Sequence, residues 1–318
     1  MLDPAALQAL KGGPERIAIT GAGGWIGLAT LELLAEAFGD QFEERVCCFG
    51  SNARVLNLRG GLSIEQQPLS ALVQLLPQPT WVLHFAFLTK DRAEGMAESE
   101  YRAANRAIDA TVLEALDIIG AEGIFVASSG AAAFAEDENA SAAMRLYGEL
   151  KLAQEELFAA WAGQRMKRAV IARIFNIAGP YINKHNSYAL ANFIGEGLAG
   201  RPIQVRAGHA VVRSYVAISE LMSLVFASLA ASDSGVLRFD SGGVPMELAD
   251  IAAAVAEALP PSKVARAPIV DGKADRYHGD GEGYATLLTS MGVKPVPLSE
   301  QIRETIAYMR AVPLGAGR

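Results

Sequence analysis

The sequence predicts an α/β fold in which a doubly wound parallel sheet carries a smaller carboxyl-terminal lobe. Short apolar runs recur along the first 175 residues, without the polar alternation of half-exposed strands. Longer segments with helical spacing of apolar residues separate these runs, and a glycine-rich turn follows the first one. The predicted strands are 16–20, 45–49, 81–86, 123–128 and 168–175, and the predicted helices are 25–38, 98–118 and 142–162.

The first strand runs into ITGAGGWIG (residues 19–27), which leads directly into the first helix. Backbone without side chains can approach a ligand closely, and a helix N-terminus adds free N–H groups and a positive dipole end. A tight turn with no ligand is the alternative. The position of this glycine-rich segment in the first strand–helix unit favours a Rossmann-type site for a dinucleotide pyrophosphate, although the glycine spacing is not the commonest one. The residues predicted to bind it are Gly21, Gly23, Gly24, Trp25, Ile26 and Gly27.

The regular alternation of strand and helix ends near residue 180, where turn-rich segments such as GPYINKHNS begin to interrupt shorter elements. Such segments are expected of a lobe that lies over the carboxyl edge of the sheet. We therefore predict a dinucleotide-binding domain over residues 1–180. Residues 181–318 are predicted to form mainly a substrate-binding lobe, with some segments returning to the first domain.

Composition excludes several classes of function. The net charge of −7 disfavours a nucleic-acid partner, and no apolar run is long enough for a membrane span. The first residues lack a signal-peptide pattern, and the adjacent Cys47 and Cys48 point to opposite faces of a strand, so neither a disulfide nor a shared metal is expected. The four histidines have no metal-ligand spacing. We expect a cytoplasmic protein without a metal.

An ordered series of motifs resembles the extended short-chain dehydrogenase/reductase family, which includes sugar-nucleotide epimerases and dehydratases. The series covers nearly the whole chain. Its members are Thr20-Gly21-x-x-Gly24-x-x-Gly27, VLHFA (82–86), Asn105, Tyr147-x-x-x-Lys151, RIFNIAGPY (173–181) and RSYVAISEL (213–221).

The Tyr147 and Lys151 pair suggests proton transfer. Residues four apart share a helix face, and a nearby ammonium is expected to lower the pKa of a phenol from about 10. Such a tyrosine can exchange a proton with an alcohol or carbonyl while hydride moves to or from a nicotinamide. A solvated helix face is the alternative. The resemblance implies that Lys151 also binds the nicotinamide ribose, and it places Asn105 in the catalytic centre.

The resemblance also implies a serine or threonine hydroxyl at the end of strand 123–128, where the sequence reads VASSGAAAF. If Phe134 stands at the position of the family's tyrosine, Gly130 stands at the position of the hydroxyl residue. If one alanine is an insertion, Ser129 stands at that position. A glycine would remove a hydrogen-bond donor to the substrate carbonyl, so we predict Ser129 as the catalytic and substrate-binding hydroxyl, with Ser128 structural.

The loop after the second strand favours NADP over NAD. An acid there would bind the ribose 2′-hydroxyl of NAD and repel a 2′-phosphate, but residues 50–61 contain none. Ser51, Asn52 and Arg54 could hold a phosphate, unless Arg54 is merely a solvent-facing loop residue. The resemblance implies further cofactor contacts from Leu69 near the adenine, from Phe85, Ala86 and Phe87 near the nicotinamide ribose, and from Phe175.

The resemblance implies that Asn176 and Arg213 bind the sugar and the diphosphate of a nucleotide sugar, and that Tyr277 and Thr89 belong to the same site. Arginine suits a diphosphate because its planar fork donates paired hydrogen bonds. A salt bridge from Arg213 to Glu220 is the alternative. VDGK (270–273) replaces the family's Arg-x-Gly-Asp pattern, which weakens the expected grip on the nucleotide.

The leading hypothesis is an NAD(P)-dependent epimerase or 4-keto reductase of a nucleotide sugar. Dehydration is disfavoured, because Gly130-Ala131 stands where dehydratases have an Asp-Glu pair. A reductase of a non-sugar carbonyl and a non-catalytic cofactor-binding regulator remain alternatives. Alanine-rich faces on helices 98–118 and 142–162 predict a homodimer, as in the family, unless those alanines only pack against the sheet.

Overall fold

The computed structural model describes residues 1–89, 95–231 and 233–311. Within these residues the main sheet has eight strands in the order β12-β7-β6-β5-β1-β2-β4-β3, parallel except for β3. Its strands are β1 (Arg16–Thr20), β2 (Val46–Gly50), β3 (Arg54–Asn57), β4 (Ser63–Pro68), β5 (Thr80–His84), β6 (Ala121–Ser129), β7 (Arg168–Ile174) and β12 (Gly235–Asp240). This confirms the predicted doubly wound α/β fold.

The remaining strands form small sheets beside the main one, and helices cover both of its faces. The small sheets contain β8 (Ile177–Ala178), β9 (Ile203–Val205), β10 (His209–Arg213), β11 (Val216–Ala217), β13 (Met246–Glu247), β14 (Val264–Arg266) and β15 (Asp271–Tyr277). The helices are α1 (Pro4–Gly12), α2 (Trp25–Phe38), α3 (Phe42–Arg45), α4 (Glu98–Ile118), α5 (Ala142–Arg165), α6 (Ala189–Leu198), α7 (Ile218–Leu229), α8 (Leu248–Ala258), α9 (Gly281–Ser290) and α10 (Leu298–Ala311).

Burial on both faces explains why the central strands read as continuous apolar runs. Every residue of β1 and of β5 is buried. Ile17 and Ile19 join the core on the side of α2 and α7, whereas Ala18 joins the core beneath α4 and α5. Because β1, β5 and β6 are parallel neighbours, their carboxyl ends lie at the same edge of the sheet. Open parallel sheets bind ligands at this edge.

The carboxyl-terminal part of the chain returns to the main sheet. β12 pairs with β7 in parallel over residues 235–240, and α7 packs against α1 and α2. α6 and α8 pack on each other and on β9, and the predicted division near residue 180 stays a prediction. No helix in the described ranges is both long and apolar enough to cross a membrane.

Trp25 ties the start of α2 to the segment after β7. Its indole Nε1 donates a hydrogen bond of 2.8 Å to the carbonyl oxygen of Pro180. Its ring also meets the edge of Tyr188 at 5.2 Å between centroids. The helix N-terminus beside the glycine turn is thus held in place by the part of the chain that follows residue 180.

Candidate active site

The glycine turn packs the carboxyl end of β1 against the end of β5. Gly21 has a φ of +72°, and a Cβ atom on it would lie 2.6 Å from the backbone nitrogen of Ala86. A Cβ atom on Gly27 would lie 2.5 Å from the carbonyl oxygen of Ala22. Packing of the chain on itself therefore requires both glycines, whether or not a ligand binds.

Gly24 differs from both, because the packing of the chain does not require it. Its φ is −84°, and the nearest atom to a Cβ built there is the Gly21 carbonyl oxygen at 3.3 Å. Gly24 is exposed and is the N-cap of α2, where no side chain caps the helix. The open space above Gly24 lies at the positive end of the helix dipole, beside the first-turn residues Trp25 and Ile26. This arrangement fits a diphosphate.

Gln66, which the sequence did not single out, lies between the glycine turn and the end of β2. A Cβ atom on Gly50, at the end of β2, would lie 2.4 Å from the Gln66 side chain. Gln66 is buried, accepts a hydrogen bond from the Gly23 amide at 3.1 Å, and donates one to the carbonyl oxygen of Asn52 at 2.8 Å. Its burial is visible only in the structure, so no pattern in the sequence marked it.

Arg54 covers the turn from outside. A Cβ atom on Gly23 would lie 1.7 Å from Arg54 Nη2, which also donates to the Gly23 carbonyl oxygen at 3.4 Å. Ser51 and Asn52 are exposed beside it. The three residues predicted to hold a phosphate therefore lie together at the open mouth of the turn, with an exposed guanidinium among them.

Three hydroxyl groups lie near one another at the end of β6. The Ser129 hydroxyl is near the phenols of Tyr147 and Tyr277, and it opposes the rise that burial causes in the pKa of each. The Ser129 oxygen accepts a hydrogen bond from the Ala131 amide at 3.2 Å. Ser128 instead lies 2.5 Å from a carboxylate oxygen of Glu155, inside the sheet. Of the two serines, the structure brings Ser129 to Tyr147 and leaves Ser128 in a buried polar cluster.

Gly130, the alternative position for the hydroxyl residue, lies against Phe175. A Cβ atom there would lie 2.5 Å from Cδ1 of Phe175. The Phe175 ring in turn packs against the Tyr277 ring with centroids 4.9 Å apart. The Phe134 ring stacks on the same Tyr277 ring with centroids 5.9 Å apart. The glycine therefore makes room for an aromatic cluster that positions Tyr277 beside Ser129.

Lys151 lies one turn after Tyr147 and is buried. Its Nζ donates hydrogen bonds to the carbonyl oxygen of Ala127 at 2.8 Å and to Oε1 of Gln154 at 3.0 Å. It also lies 3.8 Å from the centroid of the Phe87 ring, and that ring meets the Tyr147 ring edge-on at 5.5 Å. Phe87 thus contacts both members of the predicted pair.

The electrostatics of the pair differ from the expectation. Burial raises the pKa of Tyr147 above its ordinary value, although the nearby Ser129 hydroxyl opposes this shift. Burial also lowers the pKa of Lys151 to about 7, against the carboxylates of Asp109 and Glu155. The prediction that Lys151 lowers the pKa of Tyr147 is therefore wrong for this arrangement, because desolvation of the phenol sets the direction of its shift. A phenol that stays protonated can donate a proton.

Asn105 does not reach Tyr147. Its Oδ1 accepts a hydrogen bond from the Leu88 amide at 2.8 Å, and its Nδ2 donates to the carbonyl oxygens of Tyr101 at 3.2 Å and Leu88 at 3.3 Å. Its side chain therefore anchors the segment that carries Phe87. Thr89, half-buried, follows directly, and residues 90–94 lie outside the described residues.

The predicted substrate residues gather around β15. Asn176 donates to the carbonyl oxygens of Ser214 at 3.1 Å and Tyr277 at 3.2 Å, so its amide joins two segments of the site. Arg213 pairs with Asp275 at 2.8 Å and lies 5.9 Å from the Tyr277 ring centroid.

The alternative of an Arg213–Glu220 salt bridge is wrong. Glu220 is buried and accepts a hydrogen bond from the amide of Val296. The partner of Arg213 is Asp275, which the parallel pairing of β10 with β15 brings alongside. The guanidinium stays at the edge of the aromatic cluster, with part of its surface exposed.

The NAD-dependent epimerase/dehydratase family matches residues 17–238, about 70% of the chain. The chain belongs to this family. Among curated proteins, the chain is similar to UDP-glucuronic acid decarboxylase 3 of Arabidopsis thaliana, with 28% identity over 116 residues. That match covers 36% of this chain and only 34% of the relative, so it spans about a third of the relative's length.

Solved structures share the fold of this epimerase/dehydratase-family protein. The UDP-N-acetylglucosamine 4-epimerase of Methanobrevibacter ruminantium M1 has a TM-score of 0.70 and 18% identity, covering 93% of this chain and 98% of its own. The dTDP-glucose 4,6-dehydratase DesIV of Streptomyces venezuelae, with NAD bound, has a TM-score of 0.70 and 19% identity, covering 93% and 97%.

The matching family is described as NAD-dependent, and the described residues of this chain fit a dinucleotide cofactor. The space that a Cβ on Gly24 would fill lies at the helix N-terminus. Phe85 and Ala86 lie against Gly21, although the Phe85 ring itself packs edge-on against Phe125 in the core. Leu69 is half-buried and begins the 3₁₀ turn after β4, on the adenine side predicted from the sequence.

Proposed function

We propose that this protein is a 4-keto reductase or an epimerase of a nucleotide sugar. The observation that carries the proposal is that the Tyr147 phenol lies beside the Ser129 hydroxyl at the carboxyl end of β6. These two groups can donate to one substrate carbonyl oxygen. Lys151, buried one turn away, is proposed to bind the ribose of the nicotinamide cofactor.

The residues support proton transfer from Tyr147 to the substrate oxygen. When bound, the nicotinamide supplies or accepts a hydride. Ser129 orients the carbonyl, and Tyr147 donates its proton as charge develops on the oxygen; in the reverse direction it takes a proton from an alcohol. Because burial raises the pKa of Tyr147, its phenol is protonated and able to donate near neutral pH. Gly130 and Ala131 carry no acid for elimination, which favours reduction or epimerisation over dehydration.

A screen of purified protein with NADPH or NADH against nucleotide 4-keto sugars tests the function. Oxidation of the reduced cofactor, with a reduced sugar as product, would support a reductase, and inversion without net oxidation would support an epimerase. A non-sugar carbonyl is the second candidate, because the Tyr277, Phe134 and Phe175 rings form an aromatic cluster at the site. Cofactor binding without turnover of either class would instead indicate a regulator.

NADP is the proposed preferred cofactor. No acid lies between residues 50 and 61, the Gln66 side chain lies between the glycine turn and the end of β2, and the Arg54 guanidinium lies on Gly23. NADP(H) should then bind at least about tenfold more tightly than NAD(H), a difference of about 1.4 kcal/mol. Calorimetric titration of both cofactors measures the ratio.

The matched variant is Arg54→Ala, which should weaken the binding of NADP(H) and leave that of NAD(H) nearly unchanged. Arg238→Ala is a suitable control, because Arg238 lies on β12 at the far edge of the sheet and pairs with Glu156. Equal wild-type affinities for the two cofactors, or tighter binding of NAD(H), would contradict the proposal.

A two-fold homodimer through α4 and α5 is also proposed. The alanines of these helices divide into two sets: Ala115, Ala159 and Ala162 are buried towards the sheet, whereas Ala107 and Ala153 are exposed. Exposed small residues permit close approach of a second pair of helices. We expect a dimer by light scattering at micromolar concentration, and a monomer for Ala107→Glu. A wild-type monomer would refute it.

A cytoplasmic location is proposed from the cysteines. Cys47 and Cys48 are both free thiols on β2, one half-buried and one buried. Burial raises the pKa of Cys47 to about 11, so the thiol stays protonated and unreactive. Adjacent unpaired thiols are typical of a reducing compartment.

A further inference from the structure

Behind the Tyr147–Ser129 pair, Lys151 begins a buried hydrogen-bond chain. Its Nζ donates to Oε1 of Gln154 at 3.0 Å, and Nε2 of Gln154 donates to Oδ1 of Asp109 at 2.6 Å. Relative exposures are 4% for Lys151, 1% for Gln154 and 7% for Asp109. The Gln154 amide thus links the buried ammonium of Lys151 to the buried carboxylate of Asp109.

The chain continues from Asp109 to the end of β1. Nε2 of His84 lies 3.1 Å from the same Oδ1 of Asp109, and its Nδ1 lies 2.7 Å from the Thr20 hydroxyl. Burial lowers the pKa of His84, so the ring is neutral near pH 7. With Nε2–H donating to Asp109, the Thr20 hydroxyl can donate to Nδ1. The Gln154 Nε2 atom, which itself donates to Asp109, lies 3.1 Å from the same His84 Nε2. Thr20 directly precedes Gly21, so the chain connects the lysine to the glycine turn.

The orientation of the Gln154 amide follows from its two neighbours. Its NH₂ group must face the carboxylate of Asp109, and its oxygen must face the ammonium of Lys151. The amide dipole is therefore aligned between opposite charges, which strengthens both hydrogen bonds in a buried site. With Ala127 accepting a second N–H and Phe87 offering its ring face, Nζ is held on several sides.

Asp109 is the carboxylate that serves Lys151 in this cluster. Glu155, the other nearby acid, is hydrogen-bonded to Ser128 and forms an ion pair with Arg173 at 2.9 Å. The remaining titratable groups that face Lys151 are His84, which is neutral, and Tyr147 on the same helix. The charge that favours the ammonium form thus comes chiefly from α4, across the amide on α5.

We propose that Asp109 and Gln154 are positioning residues that keep the Lys151 ammonium protonated and fixed in place. The inference rests on the proposed function only in giving Lys151 its task at the cofactor ribose. Neither residue touches the reacting atoms. Removing the Asp109 charge should make the ammonium lose its proton at lower pH, because a buried cation without a nearby anion is destabilised.

The test is the titration of Lys151 followed by NMR in protein whose lysines carry ¹³C at Cε, with no cofactor or substrate added. The resonance that disappears in Lys151→Met reports this residue. Wild type should titrate near pH 7. Asp109→Asn should lower the midpoint by about one pH unit, the smallest effect usual for a close opposite charge. Gln154→Leu should shift it in the same direction.

A charge-relocating variant separates electrostatics from packing. Asp109→Asn combined with Gln154→Glu moves the carboxylate next to Lys151, and its midpoint should return to the wild-type value or exceed it. Asp117→Asn is the matched control, because Asp117 is an exposed acid on α4 that pairs with Arg165 at 2.7 Å. It should leave the Lys151 titration unchanged.

The affinity for NADPH, measured by fluorescence across the neutral range, gives a second readout. It should decline with rising pH in wild type, and decline at lower pH in Asp109→Asn. If folded Asp109→Asn keeps the wild-type lysine midpoint, the proposal is overturned. If Asp109→Asn does not fold, Gln154→Leu decides: a wild-type lysine midpoint in that variant overturns the proposal. Lysine shifts without turnover of any carbonyl would uphold this inference and contradict the proposed function.

Discussion

Tyr147→Phe should lower turnover by a factor of about 10² to 10⁴, the usual contribution of a placed general acid or base. The substitution removes one oxygen and keeps the ring that packs edge-on against Phe87. The affinity for the cofactor should hardly change, because the ribose contact is assigned to Lys151. Steady-state kinetics on the substrate identified by the screen, with cofactor titration alongside, measure both effects.

The serines provide the internal control for this prediction. Ser129→Ala should mainly lower turnover, whereas Ser128→Ala should do so much less, since Ser128 contacts Glu155 rather than Tyr147. Lys151→Met should damage both cofactor binding and turnover. Full activity of Tyr147→Phe on the true substrate would exclude the proposed mechanism. A larger loss of turnover for Ser128→Ala than for Ser129→Ala would mean that the assignment is off by one residue.

Gly24→Val should abolish cofactor binding while the protein stays folded. The new side chain would meet only the Gly21 carbonyl oxygen, at 3.3 Å from its Cβ, so the chain can accept it. Its methyl groups would instead fill the space proposed for the pyrophosphate. Calorimetry with NADP and NAD should detect no binding, and circular dichroism should show the wild-type content of helix.

Substitutions at two other glycines serve as controls for Gly24→Val. Gly21→Val should destabilise the fold itself, because φ is +72° and the Cβ would lie 2.6 Å from the Ala86 nitrogen. Gly12→Val, at the end of α1, has nothing within 4 Å of its Cβ and should bind the cofactor normally. Wild-type affinity in Gly24→Val would show that the cofactor does not lie over the turn.

The sequence predicted the sheet because its central strands are buried on both faces, and a strand such as β1 then has polar residues only at its ends, Arg16 and Thr20. The exposed strands β3 and β4 lack that pattern, so Gln66 and its place beside Gly50 were missed. Ser129 was predicted because the family resemblance requires a hydroxyl at the end of strand 123–128. The protonation state of Tyr147 could not be predicted in this way.

The errors in the site concern partners that are distant in sequence. Arg213 pairs with Asp275, 62 positions away, because β10 and β15 lie side by side. Burial raises the pKa of Tyr147, and the electrostatic effect of Tyr277, far along the chain, raises it further. Spacing on one helix predicts that Tyr147 and Lys151 share a face, but it contains no information about how much water remains around them.

The return of β12 to the edge of the main sheet has a consequence for biosynthesis. β7 ends at Ile174, but its outer neighbour is complete only at Asp240, 66 residues later. At about 5–20 residues per second, a ribosome needs roughly 3 to 13 s for that interval. Throughout it, β7 is an apolar strand with an unpaired edge, the kind of surface on which nascent chains aggregate. The growing chain therefore has a defined window in which a chaperone would be of most use.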